Sequence, residues 1–123
     1  MRHDPITLPL TATALRRQGV GRAWLSLLSA VLQLAGGRAE LLRHGERPWA
    51  SVTFSGSRHT LALRFTGHDA LEAGDAFVEA LPEHEFALRG QIVADARITA
   101  LDQVVLPEPA MTIEVELLLV EDA

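Results

Sequence analysis

Cysteine is absent from the 123 residues, so disulfides, thiolate zinc sites and cysteine nucleophiles are excluded. Lysine is absent too, and all eleven basic residues are arginine. Gly19-Val20-Gly21 therefore lacks both the lysine and the third glycine of phosphate-cradling loops, and no Gly-x-Ser-x-Gly occurs. Neither His-x-x-x-His, His-Glu-x-x-His nor an acidic loop with calcium-ligand spacing is present. Aromatic residues make up 5% of the chain. Trp24, Phe77 and Phe86 fall at core positions, which leaves no stacking platform for single-stranded nucleic acid. The apolar stretch Ala23–Ala35 is interrupted by Ser26, Ser29 and Gln33, and is short of the ~20 residues needed to cross a bilayer. Arg16-Arg17 ahead of it imitates a signal peptide, but the pair follows a strand-like segment instead of opening the chain. The expectation is a cytoplasmic protein with no membrane span, no metal and no cofactor.

What is present suits an ordinary folded domain. The hydrophobic fraction is 48% and the charged fraction 22%, both in the globular range. A chain of this length buries roughly two thirds of its unfolded surface, so residues 1–123 are read as one domain. The net charge of −5 disfavours general nucleic-acid binding. That charge is unevenly spread. Residues 1–67 carry nine arginines against Asp4, Glu40 and Glu46, whereas residues 68–123 carry Arg89 and Arg97 against thirteen acids. Two halves that attract each other account for this polarity.

An internal echo also divides the chain into two halves. Residues 7–28 align with residues 60–81 with seven identities in twenty-two pairs, including Thr7-Leu8 with Thr60-Leu61 and Gly21-x-Ala23 with Gly74-x-Ala76. The element order agrees. Ile6, Leu8, Leu10 and Ala12 alternate with polar residues as a strand. A helix follows from Arg22 to Ala35, with Trp24, Leu27, Leu28, Val31 and Leu34 on its core stripe. Arg38–His44 is a short strand ending near Gly45, and residues 49–66 read as a hairpin turning at Ser55-Gly56-Ser57. Asp69 and Glu72 suggest a capping box for a second helix with Leu71, Phe77, Val78 and Leu81 inward. Gly74 inside that helix either weakens it or permits close packing. The even-numbered residues from Phe86 to Ala100 mark one long bent strand, or two with a bulge near Gly90. A last strand, residues 111–120, turns Met111, Ile113, Val115, Leu117 and Leu119 inward. The fold class is therefore α+β: a mainly antiparallel sheet of about six strands with two helices on one face. The order is β-α-β-β in each of two pseudo-repeat halves, about 6–56 and 58–121, and the ferredoxin-like arrangement is nested within it.

Candidate chemistry is sparse. His44 and His59 fall at expected hairpin ends, where solvent exposure accounts for them. His68-Asp69 and His84-Glu85 are sequence neighbours without the geometry of a dyad, so no residue is assigned a catalytic role. Arg16, Arg17 and Arg22 flank a helix N-terminus that could receive an anion. Leu25 and Leu32 lie off the core stripe of a helix with no charge after Arg22, and Leu118 and Val120 make the end of the last strand apolar on its outer face as well. These four are the candidate interface. The leading expectation is a non-enzymatic domain that self-associates or docks to a protein partner. A ligand pocket or enzyme site between helices and sheet, over the small residues Gly90, Ala94, Ala96 and Ala100, is one alternative. Nucleic-acid or anion binding through the arginine-rich first half is another.

Overall fold

The computed structural model describes residues 22–105 and 107–121, with side chains from residue 24 onward. Six main elements occur among them: helix α1 (Arg22–Leu34), strands β1 (Ala39–Ala50) and β2 (Ser55–Thr66), helix α2 (His68–Ala80), and strands β3 (Gln91–Val104) and β4 (Ala110–Glu121). A short 3-10 turn, Leu81–Glu83, follows α2. The sheet is antiparallel with order β1-β2-β4-β3. The class is thus α+β, with four strands and two helices among the described residues.

Packing fixes the register of the two central strands. Leu61, Leu63 and Phe65 of β2, with Met111, Ile113, Val115, Leu117 and Leu119 of β4, are buried in one cluster with Trp24, Leu27, Leu28 and Val31 of α1 and Phe77 of α2. Burial of each such side chain contributes roughly 1.5–3 kcal/mol relative to exposure. A slip by one residue would turn the whole set to the opposite face. Both helices cover this inner face. α2 sits over its lower end, where Phe65 and Phe77 are 6.1 Å apart. The N-terminal end of α1 sits over the upper end, where Trp24 stacks on His44.

Several sequence expectations are corrected. Among the described residues four strands stand where five of the expected six fall, and the sheet order is not the ferredoxin-like one. The strand expected at 6–13 lies outside the described residues. Arg38–His44 and the start of the 49–66 hairpin merge into one strand, because Gly45 does not turn the chain. It faces Thr60, and a Cβ there would lie 2.8 Å from Thr60 Oγ1. The turn falls instead at Ser51–Phe54, where Ser51 N–H donates to the Phe54 carbonyl at 2.7 Å and Ser51 Oγ accepts from Phe54 N–H at 3.0 Å. Gly56, expected in the turn, is a strand residue.

The long strand begins at Gln91 instead of residue 85, and it has two register breaks, between Val93 and Asp95 and between Ile98 and Ala100. Each break reverses the alternation. Ile92 consequently pairs with Val120 on the outer face, while Ala96 pairs with Leu117 on the inner one. The helix α2 has Gly67 at its N-cap and no side-chain capping bond, so the expected capping box does not form. Asp69 lies within the first turn, exposed, where the helix dipole favours its charge. Gly74 packs closely: a Cβ there would lie 3.1–3.3 Å from Met111 and Phe65.

The described order α-β-β, α-β-β recurs with the two hairpins side by side in the sheet. The sequence echo is offset from this arrangement. Most of residues 7–28 lies outside the described residues, and residues 60–81 run from β2 into α2.

Candidate functional site

No helix among the described residues covers the outer face of the sheet, and the strand register places its side chains in rows across four strands. The uppermost row is Trp49, Gly56, Val120 and Ile92. Beneath it run Arg47, Arg58, Leu118 and Asp95, then Gly45, Thr60, Glu116 and Arg97, then Arg43, Ala62, Glu114 and Ala100. Side chains directly opposite on antiparallel strands point to the same side, so the upper end of this face is apolar. The hairpin loop beside it adds Val52, fully exposed, and Phe54, 56% exposed, while Ile92 is 54% exposed.

The lower rows hold the charges. Glu116 accepts from Arg58 at 2.6 Å and from Arg97 at 2.8 Å, and Arg43 reaches Glu114 across Ala62, which is buried although it belongs to this face. Two of these contacts join an arginine of the first half to an acid of the second. The polarity of the halves is thus spent partly on the open face rather than across the core. The hydrogen bond from Arg97, aided by Arg58, holds the Glu116 carboxyl below the ordinary carboxylate value. A depressed carboxylate contributes stability above its unfolded pKa and loses it as pH falls through the folded value. Glu116→Gln is therefore expected to cost about 0.5–1 kcal/mol at neutral pH, the scale of exposed pairs. In urea titrations the difference from the native chain should shrink in acid. An equal difference at both pH values would show that the ion pairs are not its source.

A second cluster lies under Trp24 on the inner face, at the same end. His44 and Glu46 are two apart on β1 and share a side, and His59 of β2 pairs with Glu46. His44 Nε2 and His59 Nδ1 are 2.9 Å apart, and His59 Nε2 is 2.8 Å from Ser57 Oγ. The Trp24 indole covers both rings, its centroid 3.6 Å from that of His44 and 5.4 Å from that of His59, nearly parallel to each. His44 is 8% and His59 2% exposed, which corrects the expectation of two solvated hairpin histidines. The strand continues through Gly45, so both fall on the covered side. Burial lowers the His59 pKa below the ordinary histidine value, and the neighbouring Glu46 pulls the other way. Ligand atoms of His44, Glu46 and His59 all lie within 4.8 Å of one another. The cluster opens to a cleft lined by Trp24, Glu46, Ser57, His59, Gln91 and Glu121.

The expected site residues are only partly brought together. Leu118 and Val120 join one apolar patch. Leu25 and Leu32, half-buried against the core, belong to α1 on the opposite side of the sheet. The four therefore do not form a single surface. Leu25 instead borders a groove with the extended segment at Ala87–Arg89, so the apolar helix is partly covered by its own chain. Arg16 and Arg17 lie outside the described residues, and Arg22 begins α1. Of the small residues expected to line a pocket, only Ala96 is buried, and Ala100 pairs with Glu114 on the outer face. No local pattern places Trp49, Phe54 and Ile92 on this face, because Gly45 imitates a turn and the bulges in β3 reverse its alternation.

No family model and no curated protein matches this chain. Among solved structures, a chain from the virion of a native gene transfer agent (GTA) particle is similar, with a TM-score of 0.55 and 11% identity over 80% of this chain and 91% of that one. Likeness at this identity shows a shared fold. No described helix is long and apolar enough to cross a membrane.

Proposed function

We propose that this chain is an assembly subunit without enzymatic activity, which self-associates through the open face of its sheet. The observation that carries the reading is the row Trp49–Gly56–Val120–Ile92, an apolar strip on a face that no described helix covers. Edge-to-edge pairing is disfavoured. β1 carries Pro48 and a register break beside Leu42, and β3 carries two breaks, features that blunt an exposed strand edge. The face is what remains.

Its charges suit a second copy. Arg43, Arg47, Arg58, Arg64 and Arg97 share it with Glu40, Asp95, Asp102, Glu114 and Glu116, so it is balanced although the chain is net −5. The β1–β2 side carries four of the arginines and the β4–β3 side four of the acids. A two-fold axis parallel to the strands lays one side over the other in an isologous pair. It also sets Trp49 against the partner's Ile92 and the gap at Gly56 against the partner's Val120. The solved chain of similar fold comes from a virion particle, which lends support to an assembly role.

Light scattering at micromolar concentration tests the reading, with Ile92→Glu as the variant. The native chain should run as a dimer or larger, and the variant should dissociate at least tenfold more readily, or about 1.4 kcal/mol. A native chain that stays monomeric at every concentration and salt level would remove self-association.

A further inference from the structure

We propose that His44, Glu46 and His59 form a binding site for one divalent transition-metal ion of the zinc class, at the root of α1. This site is separate from the docking face and lies on the other side of the sheet.

The donor set is two imidazoles and one carboxylate, which suits such an ion and is a combination found in three-ligand zinc centres. Two strands supply it in a way no local motif would reveal. His44 and Glu46 alternate onto one side of β1, and His59 stands opposite Glu46 on β2. The histidine nitrogens are 2.9 Å apart. Around a tetrahedral zinc with bonds of ~2.1 Å, two ligand nitrogens stand about 3.4 Å apart. The rings therefore need to separate by only about half an ångström. The ligand atoms of the three residues lie within 4.8 Å of one another, and Glu46, at an exposed position, can turn its carboxylate toward the two rings.

The surroundings orient the ligands as metal sites require. Ser57 Oγ lies 2.8 Å from His59 Nε2; in the tautomer that donates its Nε2–H to this hydroxyl, the Nδ1 lone pair is directed at His44. Metal binding would displace the proton shared between the two rings to solvent. Three protein ligands would leave a fourth position for water, and the cleft beside the cluster would admit it. Two of the residues that line it carry a buried polar atom without a hydrogen-bond partner among the described residues, Trp24 Nε1 and Gln91 Oε1. A metal-bound water accepts from the first or donates to the second. Such orphans are costly in a dry interior, and a hydrated ion at this position accounts for them.

The experiment is titration of the chelator-treated full chain with Zn(II) by calorimetry, and with Co(II) by visible absorption. The native chain should bind one equivalent, with the intense bands of a tetrahedral Co(II) centre. Glu46→Gln, at an exposed position, should fold normally and bind at least about tenfold more weakly, and His59→Asn should not bind. Should His59→Asn fail to fold, Glu46→Gln decides alone. Ile92→Glu should bind as the native chain does, which keeps this proposal distinct from the docking face. Absence of stoichiometric uptake, or equal uptake by the native chain and Glu46→Gln, would overturn it.

Discussion

Gly56→Ala is expected to destabilise the chain by about 3 kcal/mol or more, at or beyond the upper end of overpacking effects. A Cβ at this position would lie 1.8 Å from the Leu119 carbonyl oxygen, 2.8 Å from its carbonyl carbon and 3.0 Å from Val120 Cα. All three are backbone atoms of the neighbouring central strand, so no side-chain rotation relieves the contact. β2 and β4 have to separate where Gly56 pairs with Val120 and Ser57 with Leu119. Leu117 and Leu119, both buried, follow them out of the core. Urea unfolding should show the lower midpoint with an unchanged slope. Ser55→Ala, one residue earlier and exposed, loses only its 3.3 Å contact to Glu121, so it should stay within about 0.5 kcal/mol. Equal midpoints for Gly56→Ala and the native chain would mean that the strands can spread locally, and that the gap in the upper row is not a packing requirement.

The position of Gly56 shows how much of this architecture is legible in residues alone. Strict alternation made β4 readable: Met111, Ile113, Val115, Leu117 and Leu119 are all buried as expected. The stripe on α1 was readable for the same reason, with only Leu34 left half-buried. Glycine was misread because it serves two purposes. At Gly45 and Gly56 it admits a neighbouring strand, whereas the expectation was a turn. That error cut β1 short and hid the fact that His44 and Glu46 share a side. Bulges were the second source of error. The even-numbered pattern of residues 86–100 is real in the sequence, but each bulge in β3 reverses its meaning, and Ile92 emerges on the open face. Cross-strand neighbours such as Glu46 and His59 depend on pairing register, which no local pattern encodes. Both the apolar row of the open face and the histidine cluster are built from such neighbours.

Trp24→Ala is expected to have the second large effect, with two separable parts. The indole is 3% exposed and covers both imidazoles, so its removal should cost about 3–5 kcal/mol through lost burial and the cavity left behind. Trp24→Phe restores much of the apolar cover and should recover part of that loss. The second part concerns His59. Its pKa lies below the ordinary value chiefly because burial disfavours the imidazolium. With the indole gone the ring is more accessible, and the pKa should rise toward the ordinary value near 6.5, as read by NMR titration of the imidazole protons in the presence of chelator. The sign for stability follows. A histidine with a depressed folded pKa makes the unfolded chain the better proton acceptor, so stability is full above the unfolded value and declines as pH falls through the folded one. That acid-side decline belongs to the native chain and should be smaller in Trp24→Ala. The gap in stability between the two chains should therefore be widest at neutral pH and should narrow in acid. An unmoved His59 titration alongside the full loss of stability would assign Trp24 to packing alone, with the desolvation of the histidines supplied by the sheet itself.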